Sequence, residues 1–206
     1  MKNSRYFKPR LPAEAELEIK KSKFIVNGMP VSSAEQARAF ILSLKSATPS
    51  ANHHCSAFII GAPSQSQMFG YHDDGEPSGT AGKPMYQVLE GQGIGDICVV
   101  VTRFFGGIKL GTGGLARAYA DSVKALIPQL ILDEVLPLSQ LQIEYEYSLS
   151  AVVDSALHNS DAIVVDSQYT DRVMQLISIP VDQEESLSYR LNERCSGNIL
   201  IKKVNK

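Results

Sequence analysis

The sequence has little of what marks several large protein classes. Its 206 residues include only three cysteines, widely separated and without a Cys-x-x-Cys pair, which argues against a disulfide framework. Apolar runs such as residues 97–101 are far shorter than the roughly 20 residues that a membrane-spanning helix needs. The first 16 residues lack an apolar stretch of signal-peptide length. We therefore expect a cytoplasmic protein that does not contact a membrane.

Net charge also offers little, because −2 does not identify a nucleic-acid-binding protein. The charge is unevenly distributed, however. Residues 1–132 hold 14 Lys and Arg against 10 Asp and Glu, whereas residues 133–206 hold 6 against 12. A basic first part permits an anionic partner there, although an ordinary solvated surface explains the difference equally well.

Hydrophobic periodicity divides the chain into two domains joined by a linker. Residues 1–132 mix helical and extended patterns, which predicts an α/β or α+β domain, and we assign the whole chain to the α+β class. Strands are predicted within 14–31 and at 55–60, 68–71 and 96–105, and helices at 34–47, 85–93 and 115–130. Residues 133–138 (DEVLPL) are short, acidic and contain proline, so we assign them to the linker. Residues 139–206 follow the order βαββαβ, the ferredoxin-like signature.

A first glycine-rich loop spans residues 73–84 (DDGEPSGTAGKP). Its three carboxylates can supply oxygen ligands to a hard cation, but their spacing does not match a calcium loop. Pro84 stands where a phosphate-binding loop needs Ser or Thr. A turn-rich loop whose Asp and Gly residues adopt unusual dihedral angles is the alternative.

A second glycine-rich loop spans residues 103–115 (RFFGGIKLGTGGL), between a predicted strand and a predicted helix. Glycines and free amides at a helix N-terminus admit a phosphate or carboxylate, and Arg103 and Lys109 add positive charge. Residues 111–116 spell G-x-G-x-x-A, but no acidic residue follows at a strand end, so a dinucleotide site is not indicated. The alternative is that the glycines only permit close packing.

The run His53-His54-Cys55 invites a metal or nucleophile interpretation. Adjacent strand residues point to opposite faces, so the three side chains do not converge. Cys55 lies in an apolar run without an evident orienting acid. We therefore expect no metal, no cofactor and no catalytic residues, and we assign His54 and His72 a supporting role beside the loops.

These same segments carry a family resemblance. His53-His54-Cys55, DDGEPSGTAGKP and RFFGGIKLGTGGLARAY at 103–119 resemble the signature of the IMPACT family, and the C-terminal βαββαβ unit resembles the extra domain of its bacterial members. The resemblance implies a ribosomal-protein-type βαβ fold for the first domain, as in domain IV of elongation factor G, and a second domain like domain V of that factor. It also implies RNA or ribosome contact.

The resemblance and the loops support three hypotheses. The first is a translation-associated regulatory protein that binds RNA or the ribosome through a glycine-rich, anion-accepting surface. The second is a small-ligand-binding protein or enzyme acting on a phosphorylated or carboxylated substrate at the same loops. The third is structural: the loops are conformational necessities, and the function lies in an interface with a protein partner, such as one in translation control. We do not transfer the RWD-dependent partnership of eukaryotic relatives, because this chain has no room for that domain. The candidate binding residues are Asp74, Glu76, Thr80, Gly82, Lys83, Arg103, Phe105, Gly106, Gly107, Lys109, Gly111, Gly113 and Gly114.

Overall fold

The computed structural model describes residues 5–63, 66 and 68–204 and separates into two compact units. Among the described residues, the first unit holds residues 5–135 and the second residues 136–204. Each unit mixes helices with strands, which confirms the predicted α+β class. Within the described ranges, no helix is long and apolar enough to cross a membrane.

The first unit is built around a five-stranded sheet. Its elements, in chain order, are β1 (Tyr6–Pro9), β2 (Ala13–Ile19), β3 (Ser22–Pro30), α1 (Ala34–Ala47), β4 (His53–Ile60), β5 (Met68–His72), α2 (Gly82–Gly91), β6 (Ile97–Phe104), α3 (Thr112–Leu126) and β7 (Leu132–Val135). The sheet order is β2-β3-β6-β4-β5, with all neighbours antiparallel. Since β3 and β4 both oppose β6, they run parallel to each other, and β3-α1-β4 forms a split βαβ unit.

Strand β6 shows why this sheet has helices on both faces. Ile97, Val99 and Val101 belong to the core that includes residues of α2 and α3. The intervening residues, Cys98 and Val100, pack in a second cluster with residues of α1. A strand buried on both faces reads as a continuous apolar run, which is the pattern that residues 97–101 show.

Helix boundaries differ from the predictions at two N-termini. Helix α2 begins at Gly82, before Pro84, and α3 begins at Thr112 rather than at residue 115. Proline is tolerated in a first helical turn because the amides there have no intrahelical partner. The N-terminus of α1 follows the expected pattern, with the Ser33 hydroxyl accepting from the Gln36 amide at 3.3 Å.

Strands β1 and β7 were not predicted. They pair with each other, Tyr6 opposite Val135 and Pro9 opposite Leu132. The assigned linker of residues 133–138 therefore begins inside a strand. Strand β7 is extended because it pairs with β1, more than 120 residues away in the sequence. Arg10, just after β1, adds an ion pair to Asp133 of β7.

The second unit has the predicted ferredoxin-like order. Its elements are β8 (Leu138–Tyr145), α4 (Ser150–His158), β9 (Ile163–Tyr169), β10 (Val173–Pro180), α5 (Glu184–Arg194) and β11 (Ile199–Val204). The sheet order is β11-β8-β10-β9, and all neighbouring strands are antiparallel. Apolar residues that alternate along β8, such as Leu141 and Ile143, pack with Leu187 and Leu191 of α5.

Candidate functional site

The two glycine-rich loops converge beside Arg103, near the end of β6. In the sheet, Arg103 lies opposite Phe24 of β3 and His53 of β4. Residues that oppose each other in an antiparallel ladder point to the same face. Phe24 packs edge-on against Tyr119 of α3, with ring centroids 5.5 Å apart. The row His53-Arg103-Phe24 therefore faces α3 rather than α1.

Glu76 of the first loop forms a buried ion pair with Arg103. The Arg103 Nη1 donates to Glu76 Oε1 at 2.5 Å, and the two side chains are only 6 % and 4 % exposed. The Tyr119 hydroxyl donates to the same oxygen at 2.8 Å, and burial strongly raises the pKa of Tyr119. These contacts join the first loop, β6 and α3 at one carboxylate.

The Arg103 guanidinium also lies between two aromatic rings. Its central carbon is 5.4 Å from the centroid of Phe24 and 5.6 Å from that of Phe105, within the range of cation–π attraction. Its Nη2 donates to Ser22 Oγ at 3.4 Å, and its Nε is buried without a hydrogen-bond partner among the described residues. Arg103 is thus held inside the protein rather than presented to solvent.

Asp73, which the sequence analysis did not select, organises the first loop. Its Oδ1 accepts from the amides of Ala81 and Gly82 at 3.0 and 2.8 Å, and its Oδ2 accepts from Gly79 at 2.7 Å. A carboxylate beside these amides is stabilised by the positive end of the helix dipole. The N-terminus of α2, including the predicted site residue Gly82, is therefore occupied by the protein's own anion.

Close packing further restricts the first loop. A Cβ on Gly82 would lie 2.6 Å from the backbone nitrogen of His72, and the His72 Nδ1 accepts from the Asp74 amide at 3.0 Å. The Thr80 hydroxyl donates to the Pro77 carbonyl at 2.6 Å. His72 and Thr80 thus serve the loop's conformation, while Lys83, in the first turn of α2, is exposed.

Asp74 connects the first loop to α1. Its Oδ1 accepts from Lys45 Nζ at 2.6 Å, and its Oδ2 accepts from the His54 amide at 2.7 Å. Partial burial opposes ionisation, but these two hydrogen bonds outweigh it and lower the pKa of Asp74. The Asp74 carbonyl accepts from His53 Nδ1 at 2.9 Å, so the Nε2 of His53 is directed toward Glu76, at 3.9 Å from Oε1.

His54 points to the opposite face from His53. Its Nε2 lies 2.8 Å from the Thr48 hydroxyl, which itself donates to the Leu44 carbonyl. The single hydroxyl proton is thereby used, so His54 carries its proton on Nε2. Burial lowers the pKa of His54 despite the attraction of Asp74. His54 therefore contacts the C-terminal end of α1, and its Nδ1 also lies 3.9 Å from Asp74 Oδ2 of the first loop, while His53 lies beside that loop on the other face of β4.

The Cys55 thiol is buried and unreactive in this setting. It donates to the Asp73 carbonyl at 3.0 Å, and burial raises its pKa to about 12. The thiolate, which is the nucleophilic form, is therefore scarce near neutral pH. Within the described part of the chain, no group of three or more His, Cys, Asp or Glu side chains has the arrangement of a metal site.

The start of the second loop is fixed against the β2–β3 turn. The Phe105 amide donates to Asn52 Oδ1 at 2.7 Å, and the Gly106 amide donates to Ser22 Oγ at 3.1 Å. A Cβ on Gly106 would lie 1.9 Å from the Lys21 carbonyl oxygen, so no larger residue fits there without displacing the turn. Lys20 is the other turn residue, and both lysines have positive φ, 49° and 63°.

The rest of the second loop is open. Phe105 and Ile108 are 46 % and 43 % exposed, and Lys109 is exposed as well. A Cβ on Gly107, Gly111 or Gly113 would meet nothing within 4 Å, whereas a Cβ on Gly114 would lie 3.2 Å from the Leu110 Cβ. The N-terminus of α3 has no side-chain cap and no acidic residue in its first turn. We call Lys20, Lys21, Phe105, Ile108 and Lys109 the hairpin–loop surface.

The comparisons with known proteins agree with this two-part organisation. The family model for the Impact N-terminal domain matches residues 20–127, more than half of the chain. The chain belongs to the IMPACT family. A second model, a domain of unknown function, DUF1949, matches residues 143–198.

Several relatives extend IMPACT family membership over the whole chain. The IMPACT family member YigZ of Escherichia coli strain K12 is 38 % identical over 93 % of this chain and 94 % of its own. The IMPACT family member YvyE of Bacillus subtilis strain 168 is 35 % identical over 96 % and 90 %. A crystal structure of a hypothetical protein is 36 % identical, covers 98 % of both chains and has a TM-score of 0.64.

A crystal structure of a Thermus thermophilus protein is more distant. It is 10 % identical, with a TM-score of 0.51, and the match covers 99 % of this chain but 29 % of that one. At this identity the likeness shows the fold alone.

The structure divides the site residues of this IMPACT family chain into two groups. Glu76, Arg103 and Asp74 are paired inside the protein, and Gly82 is capped by Asp73. Phe105, Gly107, Lys109, Gly111 and Gly113 remain open. Sequence reasoning missed the internal partners Ser22, Asn52, His53, Asp73 and Tyr119. Strand alternation predicts that His53 and His54 point to opposite faces of the sheet. The sequence does not say which of these faces α1 covers, so it could not show which histidine lies beside Glu76 and Arg103.

Proposed function

We propose that the first unit binds RNA with unpaired bases through the hairpin–loop surface, and that it meets this RNA on or near the ribosome. The observation that carries the proposal is the exposed ring of Phe105 among three exposed lysines. Phosphates attract lysines without regard to sequence, and an aromatic ring offers a stacking platform to any unpaired base. The association with translation rests on the IMPACT family resemblance and not on the geometry of the hairpin–loop surface.

The direction of the charged side chains supports an anionic partner. Asp74 and Glu76 are paired with Lys45 and Arg103, and Asp73 accepts from backbone amides at the N-terminus of α2. The lysines of the hairpin–loop surface have no ion-pair partner among the described residues. The first loop therefore directs its carboxylates at protein groups, while the hairpin–loop surface presents three lysines and an aromatic ring to solvent.

The ring of Phe105 is held in place before any ligand arrives. Its backbone amide is bound to Asn52, and its ring lies over the Arg103 guanidinium. Because Glu76 fixes Arg103 in turn, a stacking base would lose its own conformational freedom without also having to order the ring. Arg103 then contributes behind the ring, not through phosphate contact as the sequence alone suggests.

We favour RNA over the alternative, a small phosphorylated or carboxylated substrate. A substrate site needs polar groups that converge on a ligand, whereas Glu76, Asp74 and Cys55 are directed at protein atoms. A separate cleft of 410 Å³ is lined by Arg10, Asp96 and Asp133, among others. Three of its charged groups are engaged by the protein, since Arg10 pairs with Asp133 and Asp96 accepts from Tyr6, and Lys8 is the remaining charged residue of the lining.

The test is binding of a fluorescent oligouridylate, measured by anisotropy from low to moderate salt. Each lysine that contacts a phosphate should contribute about 0.7 to the slope of log affinity against log salt. Lys109→Ala and Lys21→Gln should each reduce that slope, while Phe105→Leu should weaken binding by about fivefold or more at every salt concentration.

The matched control is Arg38→Ala, which removes an exposed charge from α1 on the opposite face of the sheet. It should leave the affinity unchanged. Equal affinity of all variants, or no binding at low salt, would refute the proposal. A thermal shift with nucleotides or inorganic phosphate, without oligouridylate binding, would favour the small-ligand alternative. Arg103 is unsuitable for this test because its loss disturbs the buried pair.

A further inference from the structure

We propose that β9 of the second unit is a docking edge for a basic, extended segment of another protein, which adds to the sheet as a fifth strand. The inference goes beyond RNA binding by the first unit and does not rest on it.

Strand β9 lies at one edge of the four-stranded sheet and pairs only with β10. One side of its backbone therefore has amides and carbonyls without ladder partners, which is the template for strand addition. Its side chains are unusually apolar for an edge, with Ile163, Val165 and Tyr169 exposed by 65 %, 53 % and 65 %. The opposite edge, β11, carries Lys202 and Lys203, which protect an edge against added strands.

The charge around β9 identifies the kind of segment that fits. Asp161, Asp166 and Asp171 mark the strand and its two flanking turns, and no Lys or Arg occurs from residue 159 to residue 171. Asp166 is exposed and has no polar partner among the described residues. Opposite charges across a strand pair are favourable and like charges are not. A segment that alternates Lys or Arg with apolar residues is complementary, whereas RNA is repelled.

The same aspartates disfavour a second copy of this chain as the occupant. They are spaced by five residues, so antiparallel pairing of two β9 strands about Asp166 places the two copies of Asp166 opposite each other. It also brings the turn that holds Asp161 of one copy toward the turn that holds Asp171 of the other. Self-pairing in this register therefore places aspartates together at the centre and near both ends of the interface.

The geometry of β9 limits the length of the added strand. Asp166, Ser167, Gln168 and Tyr169 pair in regular register with β10. At Val165 the register shifts, since Asp166 lies opposite Leu176 but Val164 lies opposite Ile177, and such a bulge bends a strand. The regular stretch of the edge is thus four residues long, about 14 Å, and Val164 and Ile163 continue it beyond the bulge, which is enough for a short linear motif.

The probe is a capped peptide, Lys-Val-Lys-Thr-Val-Lys, added to the full chain. Hydrogen exchange should slow within residues 163–169, and fluorescence anisotropy should give a saturable affinity. A peptide with Glu in place of Lys, and one with alternate backbone amides methylated, should bind at least about threefold more weakly. Excess oligouridylate should leave the peptide affinity unchanged.

Variants separate this edge from a general acidic surface. Asp166→Lys and Ile163→Lys should each weaken peptide binding by about threefold or more, whereas Leu200→Lys on β11 should not. Circular dichroism checks that each variant is folded. Protection elsewhere, equal binding of the methylated peptide, or an effect of Leu200→Lys equal to that of Ile163→Lys would overturn the proposal. A peptide-free dimer that Asp166→Lys alters would assign the edge to a second copy instead.

Discussion

At the scale of single residues, the polar side chains of the loops stabilise the protein itself. Glu76 accepts hydrogen bonds from both Arg103 and Tyr119, and less than one-tenth of the Glu76 and Arg103 side-chain surface is exposed. In such surroundings the attraction between the two charges offsets the cost of removing them from water only while both are present. In the proposed RNA binding, their contribution is therefore indirect, through the position of Phe105.

Removing one member of this pair should be costly. We expect Glu76→Ala to lower the free energy of unfolding by about 3 kcal/mol or more, because it leaves the Arg103 charge buried without a counterion. Urea denaturation followed by circular dichroism measures the loss. Lys124→Ala, which breaks the exposed pair with Asp121, is the control and should change little. Equal effects of the two substitutions would contradict the buried-pair account.

His54 should make stability depend on pH. Burial lowers its pKa in the folded state, so on acidification the unfolded chain takes up this proton first. The unfolded state then binds more protons, and stability is lost as pH falls below the ordinary histidine value of about 6.5.

Denaturation at pH 7.5 and at pH 5.5 tests the contribution of His54. The wild type should be less stable at pH 5.5. His54→Gln, whose Nε2 can still donate to Thr48, should show a smaller difference between the two pH values. A difference that is unchanged in His54→Gln would show that another group is responsible.

At the scale of elements, the two helix N-termini beside the loops are in opposite states. The first turn of α2 is capped by Asp73 and packed against His72, whereas the first turn of α3 is uncapped and has space around Gly113. The residues around each of these two N-termini include glycine and a nearby lysine, so composition alone does not distinguish the N-terminus of α2 from that of α3. The difference depends on Asp73, eight and nine residues before the amides it caps, Ala81 and Gly82.

Two glycines of the second loop should respond oppositely to alanine. Gly106→Ala places a Cβ 1.9 Å from the Lys21 carbonyl oxygen, and we expect a loss of about 2 kcal/mol or more in unfolding free energy. Gly113→Ala meets no atom within 4 Å and lies in a helix, so it should be neutral or stabilise by up to about 1 kcal/mol. Thermal melts of both variants measure the difference, and a loss from Gly113→Ala would contradict the open geometry.

At the scale of the whole molecule, local patterns predicted the fold where contacts are local. The βαββαβ order of the second unit could be predicted because each strand and helix has its own periodicity and turn residues. The pairing of β1 with β7 could not, since nothing in residues 6–9 indicates a partner at 132–135. The site shows the same limit. Arg103 was recognised as a cation, but its burial depends on Phe24 and Tyr119, which come from distant segments.

The three cysteines provide a measurement that covers both units. Cys55 and Cys98 are fully buried in the first unit, and Cys195 is 1 % exposed in the second. Burial raises the pKa of each thiol. We therefore expect the native protein to react with Ellman's reagent only at the rate of its opening or unfolding, and three thiols to react at once in guanidinium. Rapid labelling of Cys55 in the native protein would contradict the structure of the first loop.

The β2–β3 turn affects thermal stability and the proposed RNA binding in opposite directions. Lys20 and Lys21 both occupy left-handed backbone conformations, which Asn and Gly adopt at lower cost in two-residue hairpins. Replacing the pair with Asn-Gly should raise the melting temperature while removing two of the three lysines of the hairpin–loop surface. A laboratory selection for heat resistance alone would therefore favour a more stable turn that lacks the two lysines on which the proposed RNA binding relies.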